Sequence, residues 1–335
     1  MKPKISRRDL LKKTSISLLG GSYLLASAEE ESLANALEQG KQSKGFVVKS
    51  TLPKGKIGDL EFSRMILGGN LIGGWAHARD LLYVSKLFKA YNTPERIMET
   101  LHLAEQNGMD CVLVTPTEMQ IVQDYNKQYG GKMQTMCQIR ARSAKRPYAE
   151  IDKAFEHGAD TMYVMGAYAD RLVKAGKMDE LVDMLERIKM TGCPGGVGGH
   201  ALTVIEECER LGVETDYYVK TLHLDQYWSA HPRENRNEFE VDNQRFDEHD
   251  KFHDNIFDLY PDKTVNFMKT VHKPWVAFKV MAAGAIHPKK AFKFAFESGA
   301  DFIAAGMFDF QIEEDLQLAR TAIDGAQGRN RNWYS

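Results

Sequence analysis

The sequence predicts one closed (β/α)8 barrel, and three observations carry that expectation. From Phe62 onward short apolar runs alternate with amphipathic stretches, the order expected of parallel strands joined by crossover helices. Three similar segments each stand ahead of an apolar run: Gln106-Asn107-Gly108-Met109-Asp110, Glu156-His157-Gly158-Ala159-Asp160 and Glu297-Ser298-Gly299-Ala300-Asp301. In each, the glycine suits a helix C-terminus and the acid turns the chain into the next strand. No Gly-x-Gly-x-x-Gly follows a first strand, which argues against the rival, an open doubly wound sheet.

The elements follow in order. A first strand spans Arg64–Gly68. After an insertion to Asn92, Thr93 as N-cap and Pro94 at the first helical position open a helix that stops near Gly108. The apolar pattern then predicts strand Asp110–Val114, helix Glu118–Gln128, strand Met133–Arg140, helix Tyr148–His157 and strand Thr161–Met165. Helix Met178–Met190 precedes the glycine-rich strand Gly195–Gly199, and helix Leu202–Leu211 precedes strand Tyr217–Thr221. Helix Asp262–Val271, strand Trp275–Val280, helix Pro288–Glu297 and strand Phe302–Gly306 complete the set of eight strands. The longest insertion, about Tyr227–Tyr260, follows the sixth strand and carries His231, His249 and His253; it reads either as a lid or as a solvated surface excursion.

Composition narrows the function. With 335 residues, 43% hydrophobic and 27% charged, the chain is globular, and a net charge of −2 gives no electrostatic footprint for nucleic acid. There is no run of about 20 apolar residues to span a membrane. Four cysteines without a Cys-x-x-Cys pair provide neither a disulfide framework nor a zinc ribbon.

Ser6-Arg7-Arg8-Asp9-Leu10-Leu11-Lys12 resembles the twin-arginine export signal. It precedes a weakly apolar stretch ending Ala26-Ser27-Ala28, small residues suited to a signal-peptidase site. The expected organisation is a signal peptide over 1–28, a linker over 29–55 and a barrel domain over 56–335. It implies export machinery as a partner, cleavage near Ala28 and a periplasmic location. Because that route carries folded proteins, it also raises the expectation of a bound cofactor, a divalent metal being the one considered.

Barrel chemistry belongs at the C-terminal ends of the strands. Read in order, those ends present Asn70, Thr115 with Glu118, Gln138 with Arg140, Tyr163 with Met165, His200, then Lys220, His223 and Asp225, and finally Lys279 and Asp309. Asn70, Glu118 and Arg140 are candidate substrate contacts, and Tyr227-Trp228 could stack on a sugar ring. Two lysines inside apolar strands, Tyr218-Val219-Lys220-Thr221 and Ala277-Phe278-Lys279-Val280, are the least ordinary feature, since a buried ammonium is costly unless paired or neutralised.

Those lysines carry a resemblance. The stretch from about Tyr217 to Phe308 resembles the deoxyribose-phosphate aldolase branch of class I aldolases. That family has a Schiff-base lysine in a Lys-Thr pair on strand six and a second lysine on strand seven before a glycine-rich turn. The resemblance implies that Lys220 activates a carbonyl and that Lys279 depresses its pKa. It also implies that Gly284, in Ala283-Gly284-Ala285-Ile286, and Gly306 lie against substrate. At the other end, Ile57–Asn70 resembles the opening of aldo/keto reductases, which are also barrels. Where that family places its catalytic acid and tyrosine after strand two, this chain has Val114-Thr115-Pro116-Thr117-Glu118-Met119.

Three functions stay open at this point. The first is lyase or aldolase-type chemistry on a small, sugar-derived carbonyl, using Lys220 and Lys279 with His200, His223 and Asp225 for proton transfer. The second is a divalent-metal lyase or isomerase with His200, His223 and Asp225 as ligands. The third is a non-catalytic periplasmic binding barrel, or a diverged aldo/keto reductase-like protein.

Overall fold

The computed structural model describes residues 49–335 except 78–80, 82, 237–257 and 330. The export signal, residues 29–48 of the linker, and His249 and His253 of the insertion lie outside the described residues. A hairpin that the sequence did not announce comes first: β1 (Lys54–Ile57) pairs antiparallel with β2 (Leu60–Ser63). Among the described residues, eight parallel strands then close a barrel in chain order. They are β3 (Met65–Leu67), β4 (Cys111–Val114), β5 (Gln134–Ile139), β6 (Thr161–Val164), β7 (Gly195–Gly199), β8 (Tyr217–Thr221), β9 (Trp275–Phe278) and β10 (Phe302–Ala305), and β10 pairs back with β3. The predicted barrel is the observed fold.

Outside it run α1 (Asn70–Gly73), α2 (Val84–Tyr91), α3 (Pro94–Gln106), α4 (Met119–Tyr129), α5 (Ala149–Glu156) and α6 (Gly166–Lys174). They continue as α7 (Met178–Lys189), α8 (Leu202–Leu211), α9 (Pro261–Met268), α10 (Pro288–Glu297) and α11 (Ile312–Gly325). Thr93 caps α3 as expected, its side chain accepting from Arg96 N–H. Helix α6 is an extra helix between β6 and the predicted α7, and it matters for the site.

Side chains alternate across each strand, so one face fills the barrel and the other meets the helices. Ile66, Leu113, Met136, Tyr163, Tyr217, Val219, Val276 and Phe302 belong to the inner cluster, and Ile57 and Phe62 of the hairpin join it. Their neighbours Met65, Val112, Cys137, Val164, Tyr218 and Ala277 belong to the outer cluster. The glycines of β7 serve this packing: a Cβ on Gly196 would stand 2.5 Å from the Tyr217 ring, so the missing side chain makes room for an aromatic one.

The recurrent Gly-x-Asp segments have a physical role. Gly108, Gly158 and Gly299 take left-handed φ values of 90°, 71° and 110° just past helix ends. The acids then accept backbone N–H groups from the strand next door: Asp110 from Ser63 at 2.7 Å, Asp160 from Thr135 at 2.7 Å and Asp301 from Trp275 at 2.9 Å. Asp216 does the same for Gly195 at 2.7 Å. Asp160, Asp216 and Asp301 each tie one barrel strand to the next, and Asp110 ties the start of β4 to the end of the hairpin. At this lower end Asp301 also takes Arg331 at 2.6 Å, and the ring of Trp333 lies between the guanidiniums of Arg64 and Arg329.

Candidate active site

The upper end of the barrel opens into a cavity of about 990 Å³. Asn70, Arg140, His200, Lys279, Gly284 and Gly306 line it, all singled out in the sequence, and His77 lines it as well.

Lys279 reaches this cavity by an exception to strand alternation. Trp275 and Ala277 face outward and Val276 faces inward, so a regular β9 would send Lys279 outward too. Instead Lys279 takes φ 59°, a left-handed conformation that costs a non-glycine residue about 1–2 kcal/mol. The chain turns there, and the side chain enters the mouth. Ala282 at φ 45° and Ala283 at φ 55° extend the same strained turn. Backbone strain of this kind gathers at functional sites. Lys279 Nζ lies 2.6 Å from Nε2 of His77, to which it donates. Burial, then the Lys279 charge, then His200 lower the His77 pKa to about 3, so its imidazole is neutral and accepts.

His200 follows inward-facing Gly196 and Gly198 at strand spacing. Its Nδ1 lies 2.7 Å from Asp170 Oδ2, a residue of α6 that is 2% exposed. Asp170 also accepts the backbone N–H groups of His200 at 3.0 Å and Ala201 at 3.1 Å. With Nδ1–H donated to a carboxylate, the ring carries its lone pair on Nε2. Burial lowers the His200 pKa, reinforced by Lys279 and Lys220 and opposed by Asp170. The result is a neutral imidazole held in one tautomer, the form a general base requires.

Across the cavity, Met136 and Gln138 lie on the inner face of β5, and Arg140 follows directly after its last residue and lines the cavity. Tyr163 donates to Gln138 at 3.4 Å. Arg140 and Arg142 share Glu150, whose Oε1 accepts from Arg142 Nε and whose Oε2 accepts the backbone N–H of Arg140 at 3.0 Å.

Several expected site residues are elsewhere. Lys220 pairs in register with outward-facing Ala277, so regular alternation carries its side chain out of the barrel. Its Nζ is fully buried, donating to Thr221 O at 2.9 Å, Thr221 Oγ1 at 2.7 Å and Asp258 Oδ1 at 3.5 Å. The paired-lysine site is therefore corrected: Lys220 does not share the mouth with Lys279.

The proposed metal triad is not assembled either. His223 uses both ring nitrogens, Nδ1 toward Leu224 O at 2.9 Å and Nε2 accepting Asp258 N–H at 3.2 Å. Asp225 is held by Arg233 at 2.8 Å and Arg236 at 2.7 Å. Among the described residues no group of three His, Cys, Asp or Glu side chains could hold a metal ion. Glu118 closes its own turn by accepting Thr115 N–H at 2.7 Å. Tyr227 packs edge-on to His223, and Trp228 is 93% exposed; neither lines the cavity.

Sequence reasoning missed His77, which sits in an insertion with no periodicity, and Asp170, which sits on an unforeseen helix. The spacing His200-Ala201 after a glycine strand gave no hint of a carboxylate partner thirty residues upstream.

The barrel has solved counterparts. A structure described as "Putative aldo-keto reductase" from Pseudomonas aeruginosa superposes with a TM-score of 0.55 at 14% identity, covering 82% of this chain and 98% of that one. A second structure of such a protein from the same organism gives 0.55 at 14% identity, covering 84% and 99%. No family model and no curated protein matches the sequence. At this identity the likeness establishes the fold and leaves the chemistry to be argued from the site.

Proposed function

We propose that the protein is a lyase or isomerase acting on a small, polar carbonyl compound, with Lys279 in place of Lys220 as the carbonyl-activating residue. The observation that carries the reading is the pairing of two oriented bases around one cation: His77 against Lys279, and Asp170-held His200, in a single cavity. In this scheme the Lys279 ammonium donates to the substrate carbonyl oxygen and stabilises the negative charge that develops there. His200 Nε2 takes the proton from the adjacent carbon, or from a β-hydroxyl whose loss breaks the next C–C bond. Asp170 stabilises the imidazolium so formed, and His200 returns the proton to complete an isomerisation or a cleavage.

Solvent-exchange NMR tests this directly. In heavy water, the protein should place deuterium next to the carbonyl of small hydroxyketones, and His200→Ala should slow this by about 10²–10⁴-fold. The lowered His200 pKa places the acid limb of the rate below pH 6.5, since the base is lost only on protonation. Undiminished exchange in both His200→Ala and Lys279→Met would overturn the assignment.

A second reading, a diverged relative of aldo-keto reductases, is supported by the shared barrel and by the segment Ile57–Asn70. It predicts carbonyl reduction that consumes an added hydride donor and no exchange without it. The reading also includes export: replacing Arg7 and Arg8 with lysine should leave a precursor in the cytoplasm, where the wild type yields a mature chain starting near Glu29.

A further inference from the structure

We infer that the ligand of this cavity carries an anionic group, a carboxylate or a phosphate, which Arg140 binds opposite the carbonyl end. The inference rests on the reading above for the carbonyl end only. Arg140 continues the inner face of β5, lines the cavity, and has a side chain 31% exposed. Its guanidinium has five N–H donors in a planar fork, yet it donates no hydrogen bond within the described structure. Among the described residues its one ion-pair partner is Glu150, with Nε 3.9 Å from Oε1. That carboxylate is already committed, Oε1 to Arg142 Nε and Oε2 to the Arg140 backbone. Glu150 thus offsets one of two guanidiniums, and Arg142, 55% exposed, is the one it holds. The half-buried fork of Arg140 is left for a group from outside. Carboxylate and phosphate oxygens match that fork bidentately.

Topology then sets the arrangement of the ligand. The ring order is β10-β3-β4-β5-β6-β7-β8-β9, so β5 and β9 are four strands apart and face each other across the barrel. Eight strands about 4.8 Å apart and tilted by about 36° enclose a ring about 15 Å across, backbone to backbone. Arg140 and Lys279 both reach into that space from opposite walls. The two cations thus stand on opposite walls of one cavity, an arrangement that suits a ligand with the anion at one end and the carbonyl at the other.

Calorimetric titration with two matched pairs tests this without relying on turnover: 4-oxopentanoate against 4-oxopentanamide, and dihydroxyacetone phosphate against dihydroxyacetone. At least one anion should bind ten-fold or more tightly than its neutral partner, and the pair that discriminates identifies carboxylate or phosphate. Arg140→Leu should erase the difference, while Arg140→Lys, which keeps the charge without the fork, should retain part of it. Thermal melts of both variants establish that the fold is kept. Equal binding within both pairs, no binding of either anion, or a preference that survives Arg140→Leu would overturn the inference. An anion preference that depends on Arg140, in a protein that shows no deuterium exchange, would leave this subsite standing and count against the carbonyl reading alone.

Discussion

Lys220 and Lys279 stand on adjacent strands, in stretches that look alike, and end in opposite surroundings. Lys220 obeys strand alternation, faces the helices and is fully buried, with its three donors met by Thr221 O, Thr221 Oγ1 and Asp258. Around it, Asp258 accepts from Thr264 at 3.0 Å and gives its N–H to His223, which ties the chain ahead of α9 to the chain leaving β8. Burial drives the pair toward neutrality, lowering the Lys220 pKa and raising that of Asp258, and their mutual attraction opposes both shifts. Lys279 breaks alternation through one left-handed residue, faces the mouth and meets a neutral imidazole. The first arrangement holds the start of α9 against the end of β8. The second presents a charge to whatever enters the cavity. A lysine in an apolar strand is thus no guide to function until the direction of its side chain is known.

The largest expected effects set these two pockets against each other. Lys279→Met should lower turnover by about 10³-fold, on the scale of losing one oxyanion-stabilising donor, and leave the melting temperature nearly unchanged. Lys220→Met should act the other way, destabilising by about 3–5 kcal/mol because the Asp258 charge stays buried without its partner. Lys220→Met combined with Asp258→Leu should recover most of that loss, since replacing a whole buried pair with apolar groups is often neutral. Chemical denaturation and steady-state rates on the same four proteins read both axes. A stable but inactive Lys220→Met would restore the first sequence expectation and break the comparison.

The barrel was legible because its signals are local: apolar alternation, helix caps, and acids that follow left-handed glycines. The strands Tyr217–Thr221 and Gly195–Gly199 and the helices Leu202–Leu211 and Pro288–Glu297 stand where the pattern put them. Half of the site was legible for the same reason, since His200 and Arg140 continue the inner faces of regular strands. The other half depended on features that no period encodes. Lys279 enters the mouth only because φ at that residue is positive, and nothing in Phe278-Lys279-Val280 announces this. His223 and Asp225 looked like ligands by spacing, but the chain had already left the strand, and their atoms serve turns and arginines. His77 and Asp170 meet their partners across 202 and 30 residues of chain.

Acid should separate the two pockets by a smaller margin. The unfolded His77 protonates near the ordinary imidazole value of 6.5, whereas the folded one does so only near 3. Between those values the unfolded chain binds the extra proton, so stability is complete above pH 6.5 and falls as pH drops through that window. At pH 5 the loss from this group is about 2 kcal/mol, at about 1.4 kcal/mol per pH unit. His200, shifted the same way, adds to it. His77→Gln keeps an acceptor for Lys279 without the titration, so its melting temperature should vary less than the wild type's between pH 7.5 and 5. Parallel slopes in the two proteins would mean that His77 is solvated and titrates normally.

The smallest effect concerns the turn that aims Lys279. If left-handed strain is the means by which β9 delivers the lysine, relieving it nearby should stabilise the fold without moving the charge. Ala283, at φ 55° and exposed, is the place to do so, because it buries no surface that glycine would lose. Glycine adopts this conformation freely but also gains freedom in the unfolded chain, so the net gain should be about 0.5–1 kcal/mol. For a domain of this size that is about 1–2 °C in melting temperature. Turnover should stay within about two-fold if the turn is only a bracket, since Ala283 offers no side-chain group to the chemistry. A destabilised Ala283→Gly would show that the turn is held by its contacts rather than strained. A stabilised variant with much slower turnover would show that the strain itself positions Lys279, with rigidity at the mouth exchanged for stability.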